Sequence, residues 1–131
     1  MPTVRRLPNL RALVDPLLGT SYAEYTCWGL VYYLLKEGLR LDLARDPATA
    51  ATALMEIWFR GDPRNPLTLV QPWDLYITTQ NLHLPVSDHV GLVVDDTSFV
   101  HARNVSTGVA IEPLRRWRPK LLQLARARSL L

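Results

Sequence analysis

The feature that most constrains the fold is a change of hydrophobic period partway along the chain. In the first half, apolar residues recur at helical intervals; from Trp73 onward they fall into short alternating runs. Residues 9–18 read as a short helix ending at Gly19, followed by a compact polar turn from Gly19 to Tyr25. Thr26 suits the N-cap of a helix from Cys27 to about Glu37, with Gly38 as its stop. On that helix Cys27, Leu30, Val31, Leu34 and Leu35 share one face. A further helix is expected from Asp46 as cap and Pro47 in the first turn to Phe59, before Gly61. Residues 60–72, with Pro63, Pro66 and Pro72, read as a loop. The strand pattern then covers 73–79, 89–94, 98–103, 108–112 and 121–127, separated by Asp, Gly and Pro breaks, with one helical turn at 113–118. Helices followed by a run of strands predict an α+β domain, N-terminal helices packed on an antiparallel sheet.

The length of 131 residues fits one domain over 1–131, and 48% hydrophobic with 21% charged residues suits an ordered globular chain. The single cysteine, Cys27, excludes an internal disulfide and is free for chemistry. The opening residues lack the apolar core of a secretory signal, and the apolar stretch Cys27–Leu35 is too short to span a bilayer. The chain is therefore expected to be made in the cytoplasm and to need a delivery route for any work outside. A net charge of +3 is concentrated near the C-terminus in Arg115, Arg116, Arg118, Lys120, Arg126 and Arg128. Such a cluster suits an anionic polymer or a solvated face, and no nucleic-acid motif accompanies it.

A thiol must ionise to attack a carbonyl, and an unperturbed cysteine is only a few per cent thiolate at neutral pH. At a helix N-terminus, Cys27 meets unpaired N–H groups and the positive end of the dipole, which favour the anion and can hold an oxyanion. His89 opens the run His89-Val90-Gly91-Leu92-Val93-Val94, whose alternation puts His89, Gly91 and Val93 on one face. Imidazole is the side chain best suited to take a thiol proton near neutral pH. Gly91 would leave room beside it for substrate or a packed helix. His101 lies twelve residues on, in Phe99-Val100-His101-Ala102. A hairpin turning at Asp95-Asp96-Thr97-Ser98 brings it back beside His89, and the two share a face only if the connection holds an odd number of residues. His101 would then fix the orientation of the His89 ring.

These residues resemble the NlpC family of cell-wall peptidases. Cys27-Trp28-Gly29-Leu30-Val31, His89 to Val94, and Phe99-Val100-His101-Ala102 match its order of Cys, His and a polar third residue. Gly19-Thr20-Ser21-Tyr22 is similar to the family's G-x-P-Y segment, Pro72-Trp73-Asp74-Leu75 to its P-G-D-L strand start, and Gly108-Val109 to its later G-V. Thr26 stands where the family usually has Asp, Trp73 where it has Gly, and the stretch from Tyr22 to Cys27 is shorter than usual. A tryptophan directly after the cysteine looks most like the phage-tail branch. The resemblance implies a papain-like fold and hydrolysis of peptidoglycan stem-peptide amides next to D-glutamate, with Cys27, His89 and His101 catalytic and no cofactor. It also makes Tyr22, Trp28 and Gly91 candidate substrate contacts, and phage-tail or other delivery proteins candidate partners. Three rivals stand beside it: a CHAP-type amidase, a silent tail-assembly or adaptor protein on the same fold, and a thioester-forming acyltransferase. A zinc site from Cys27, His83, Asp88 and His89 lacks any paired metal-ligand spacing, so no metal is expected.

Overall fold

The structure, a computed structural model, describes residues 8–41, 55–60, 70–78, 89–104 and 106–127. Helix α1 (Leu10–Val14) is capped by Asn9 and runs into a 3-10 turn at Asp15–Leu17. Helix α2 (Cys27–Leu39) is capped by Thr26, whose hydroxyl accepts from Gly29 N–H at 3.1 Å. Then come β1 (Met55–Arg60), β2 (Leu75–Thr78), β3 (His89–Val93), β4 (Ser98–Ala102) and β5 (Val109–Pro113). A short helix α3 (Leu114–Trp117), a 3-10 turn (Arg118–Lys120) and β6 (Leu121–Ala127) complete the described chain. The strands form one six-stranded sheet in the order β1-β6-β2-β3-β4-β5, each neighbouring pair antiparallel. Among the described residues no helix is long and apolar enough to cross a membrane.

Strand alternation divides the core in two. Leu75, Ile77, Val90, Leu92, Val94, Val100 and Ala102 pack with Leu30, Val31, Leu34 and Leu35 of α2. Tyr76, Val93 and Phe99, pointing the other way, pack with Trp117, Leu121 and Leu124. The sheet is thus buried on both faces, which explains why β2 and β3 are apolar almost throughout rather than alternating with polar residues.

Two expectations are corrected. The segment expected to be helical up to Phe59 ends in a strand: Met55–Arg60 is β1, an edge strand paired with β6. Ile57, Trp58 and Phe59 are bulky residues that suit a pleated surface, and their partner strand lies far along the chain, where a count of local periodicity cannot register it. The proposed start of that helix, Asp46 and Pro47, lies outside the described residues. Gly38 does not end α2 either. The helix runs on to Leu39 and closes on Arg40, which takes the left-handed conformation at φ 57°. Gly38 is required instead by Trp73, whose six-membered ring lies where a Cβ at residue 38 would be.

Trp73 is itself unusual. Asp74 N–H donates to the Gln71 carbonyl at 3.2 Å, with Pro72 and Trp73 at the centre of the turn and Trp73 at φ 78°. This is the pattern of a type II turn, which normally places glycine at the positive-φ position. Here tryptophan occupies it, fully buried, its indole N–H donating to the Pro8 carbonyl at 3.0 Å. Trp73 N–H donates to Val93 O, and Val93 N–H to Asp74 O, so the turn is sewn to the end of β3.

Candidate active site

The β3–β4 connection decides whether the two histidines can meet. Leu92 pairs with Val100 and Val93 with Phe99, and Val94 N–H donates to Ser98 O at 2.9 Å. Three residues, Asp95, Asp96 and Thr97, therefore make the bend, the odd count that puts His89 and His101 on one face. Asp95 builds this bend: its carboxylate accepts from Thr97 N–H, the Thr97 hydroxyl and the Ser98 hydroxyl at 2.9–3.0 Å. The Thr97 N–H bond is the largest reason that its carboxyl titrates below the usual range.

His89 Nε2 lies 2.6 Å from His101 Nδ1, with both rings buried. The contact continues to a residue that sequence reasoning missed. His101 Nε2 lies 3.2 Å from Glu112 Oε1, and Glu112 Oε2 accepts from the Trp117 indole N–H at 2.9 Å. Arg103 and Arg116 each approach the carboxylate at 3.4 Å. Trp117 closes the group from outside: it stacks on His89 at 5.5 Å between centroids and meets His101 edge-on at 4.9 Å. Lys120 Nζ sits 5.0 Å from the centre of the indole ring on its own account. The signal for Glu112 was its place on β5, two residues from Ala110 on the same face, where Ala110 pairs with His101. Trp117 is an aromatic residue inside a run of arginines, the one sequence signal that could have marked it.

The electrostatics follow from burial. Desolvation, then the neighbouring His89, pushes His101 down to about 4 against the pull of Glu112. Burial works hardest against the charge of Glu112, yet the Trp117 and His101 hydrogen bonds and nearby positive charge hold its carboxyl below the usual range. Since His101 is neutral near neutral pH, it offers Glu112 an N–H there rather than a charge. Thr78, paired with His89 across the β2–β3 ladder, keeps a buried hydroxyl with no hydrogen-bond partner among the described residues.

Cys27 is the first residue of α2, half-buried, its side chain packed against the α2-side core, as are those of Tyr22, Tyr25 and Trp28. Helix α2 packs on β3 and β4, the strands that carry the two imidazoles. The strand residues beneath it, Val90, Leu92, Val100 and Ala102, are those that alternate with His89, Gly91 and His101. The space beside Gly91 is taken by neighbours: a Cβ there would lie 2.6 Å from both the Phe99 ring and the Val100 carbonyl. His83 and Asp88 lie outside the described residues.

The segment leading to Tyr22 is held by β5. Gly19 N–H donates to Val109 O and Val109 N–H to Thr20 O, both at 2.9 Å. Gly108, at φ 65°, lets the two backbones approach so closely that a Cβ would collide with the Thr20 carbonyl. An open depression of about 700 Å³ on the far face of the sheet is bordered by Tyr76, Ser98, Glu112, Leu114 and Leu124. Cys27, His89 and His101 do not line it, so it belongs to the α3 side of the molecule and not to the thiol.

At the level of sequence, no protein-family model and no curated protein matches the chain. Solved structures do match its fold. The NlpC/p60 domain of the peptidoglycan hydrolase SagA superposes with a TM-score of 0.65 at 14% identity, over 90% of this chain and 95% of that one. NlpC2 from Trichomonas vaginalis gives 0.68 at 18% identity, over 95% of this chain and 49% of that one. An NlpC/P60 family protein from Bacillus cereus ATCC 10987 gives 0.66 at 17% identity, over 92% and 40%. The chain thus spans less than half the length of the last two.

Proposed function

We propose, from the α+β papain-like NlpC/P60 fold of this chain, that it is a cysteine peptidase of the bacterial cell wall, hydrolysing a peptidoglycan stem-peptide amide. The observation that carries the reading is the buried His89–His101 contact at 2.6 Å, on strands against which the Cys27 helix packs. Cys27 Sγ attacks the amide carbonyl, His89 takes the thiol proton and returns it to the leaving amine, and water then hydrolyses the thioester. His101 steadies the His89 ring. The backbone N–H of Cys27, at the tip of α2, helps hold the oxyanion.

The reading makes a geometric demand. Because the residues alternating with the imidazoles are those beneath α2, the rings lie on the sheet face away from that helix, and the reading requires Cys27 Sγ to reach His89 around the leading end of β3, where His89 is the first strand residue. Tyr22 and Trp28, which like Cys27 pack against the α2-side core, are the proposed substrate contacts, and a bond next to D-glutamate is the proposed cleavage point. Trp28 is also the pointer to delivery in a phage tail.

Purified protein incubated with muropeptides and analysed by mass spectrometry tests the proposal. One stem-peptide bond should be cut, and Cys27→Ala or His89→Ala should abolish the product. Release of intact stem peptide from the glycan would show a CHAP-type amidase instead. A product that persists undiminished in Cys27→Ala would refute thiol chemistry altogether.

A further inference from the structure

We infer that Glu112 is a positioning residue that sets the proton-bearing nitrogen on both imidazoles, and with it the direction in which a proton can move through them. As a catalytic statement this rests on the Cys27–His89 reading above; as a statement about the rings it stands alone.

The argument turns on which groups can only donate and which can only accept. An ionised carboxylate has no proton to give, and an indole N–H cannot accept. Trp117 Nε1, 2.9 Å from Glu112 Oε2, therefore requires an acceptor there. Arg116 on α3 and Arg103 after β4, each 3.4 Å from the carboxylate, are donors as well. These groups keep Glu112 ionised. His101 Nε2, 3.2 Å from Oε1, must then carry a hydrogen. A neutral imidazole holds one hydrogen, so His101 Nδ1 bears a lone pair. His89 Nε2, 2.6 Å away, must donate to it. In a neutral His89 ring this leaves the lone pair on Nδ1, the nitrogen that can accept a proton from a thiol. Lys120, over the face of Trp117, adds positive charge to the same side of the molecule.

Glu112→Gln reverses the chain without changing its shape. The Trp117 N–H still needs an oxygen, so the new amide turns its NH2 toward His101. His101 Nε2 must then accept, its hydrogen moves to Nδ1, and His89 is driven to the Nδ1–H form. The nitrogen that should receive the thiol proton is already occupied. A base held in the wrong tautomer loses turnover while its geometry survives.

The test is nitrogen-15 NMR of the imidazoles at neutral pH, with steady-state kinetics alongside. In the wild-type protein both rings should carry their hydrogen on Nε2; in Glu112→Gln both should carry it on Nδ1. Turnover should fall on the order of 100-fold or more with KM within about threefold, and Glu112→Asp should recover part of it. His101 protonated on Nδ1 in the wild-type protein overturns the inference, and that measurement needs no variant to fold. Unchanged tautomers or unchanged kcat in a folded Glu112→Gln overturn it too. If the wild-type protein shows the expected tautomers but no Cys27-dependent hydrolysis, the peptidase reading fails while the assignment of the rings is upheld.

Discussion

Trp73 offers a sharp test because two large effects oppose each other at one residue. Its side chain is wholly buried against Gly38, yet its backbone sits at φ 78°. Removing a buried tryptophan side chain costs about 3–5 kcal/mol. A left-handed backbone costs an L-residue with a Cβ about 1–2 kcal/mol. Trp73→Ala pays the first and keeps the second. Trp73→Gly loses the same contacts but relieves the backbone, offset by about 0.4–1 kcal/mol for the freer unfolded chain. The glycine variant should therefore be the more stable by about 1 kcal/mol, the reverse of the usual order. Gly38 then completes a double-mutant cycle. In the wild-type background Gly38→Ala forces a Cβ into the Trp73 ring and should cost about 1–3 kcal/mol. In the Trp73→Gly background that collision is gone, and the same change should stabilise by up to about 1 kcal/mol through helix propensity. The coupling should be about 2 kcal/mol or more. Urea unfolding followed by circular dichroism reads all the variants. Equal cost of Gly38→Ala in both backgrounds, or an alanine variant at 73 more stable than the glycine one, would refute the reasoning.

Other consequences are simpler. Gly108→Ala combines positive φ with a collision against the Thr20 carbonyl and should destabilise by about 2–4 kcal/mol in the same unfolding assay. Thr26→Ala removes the cap on Gly29 N–H and should cost about 1 kcal/mol. His101, depressed from 6.5 to about 4, stays neutral in the folded protein while the unfolded chain protonates. Its contribution is whole above pH 6.5 and is lost as pH falls toward 4, up to about 3 kcal/mol; urea midpoints across that range should show this slope, and His101→Asn should flatten it.

What could be read from sequence was what local rules govern. Thr26 before an apolar helical stripe specified the start of α2 and the face it buries, whereas the sequence stated only the condition for His89 and His101 to share a face, which the three-residue Asp95–Thr97 bend meets. Residue 73, read as the start of a strand, instead lies in a positive-φ turn ahead of β2, although its residue is tryptophan. What could not be read depends on distant partners. β1 carries residues that fit a helix or a strand, and only β6 decides between them. Gly38 looks like a stop until the Trp73 ring is placed against it. Glu112 becomes part of the site through a diagonal contact from β5 to β4 and a tryptophan beyond the strand, neither of which has a spacing rule.

Strand β5 holds more than its share of the outcome. At Val109 it grips the segment that feeds into the Cys27 helix; three residues on, it presents Glu112. One short beam therefore supports both the approach to the sulfur and the far terminus of the imidazole line. A tilt or slip of that beam would unsettle the two together, so any force or ligand that displaced it would disturb the proposed nucleophile and the proposed proton path in a single movement.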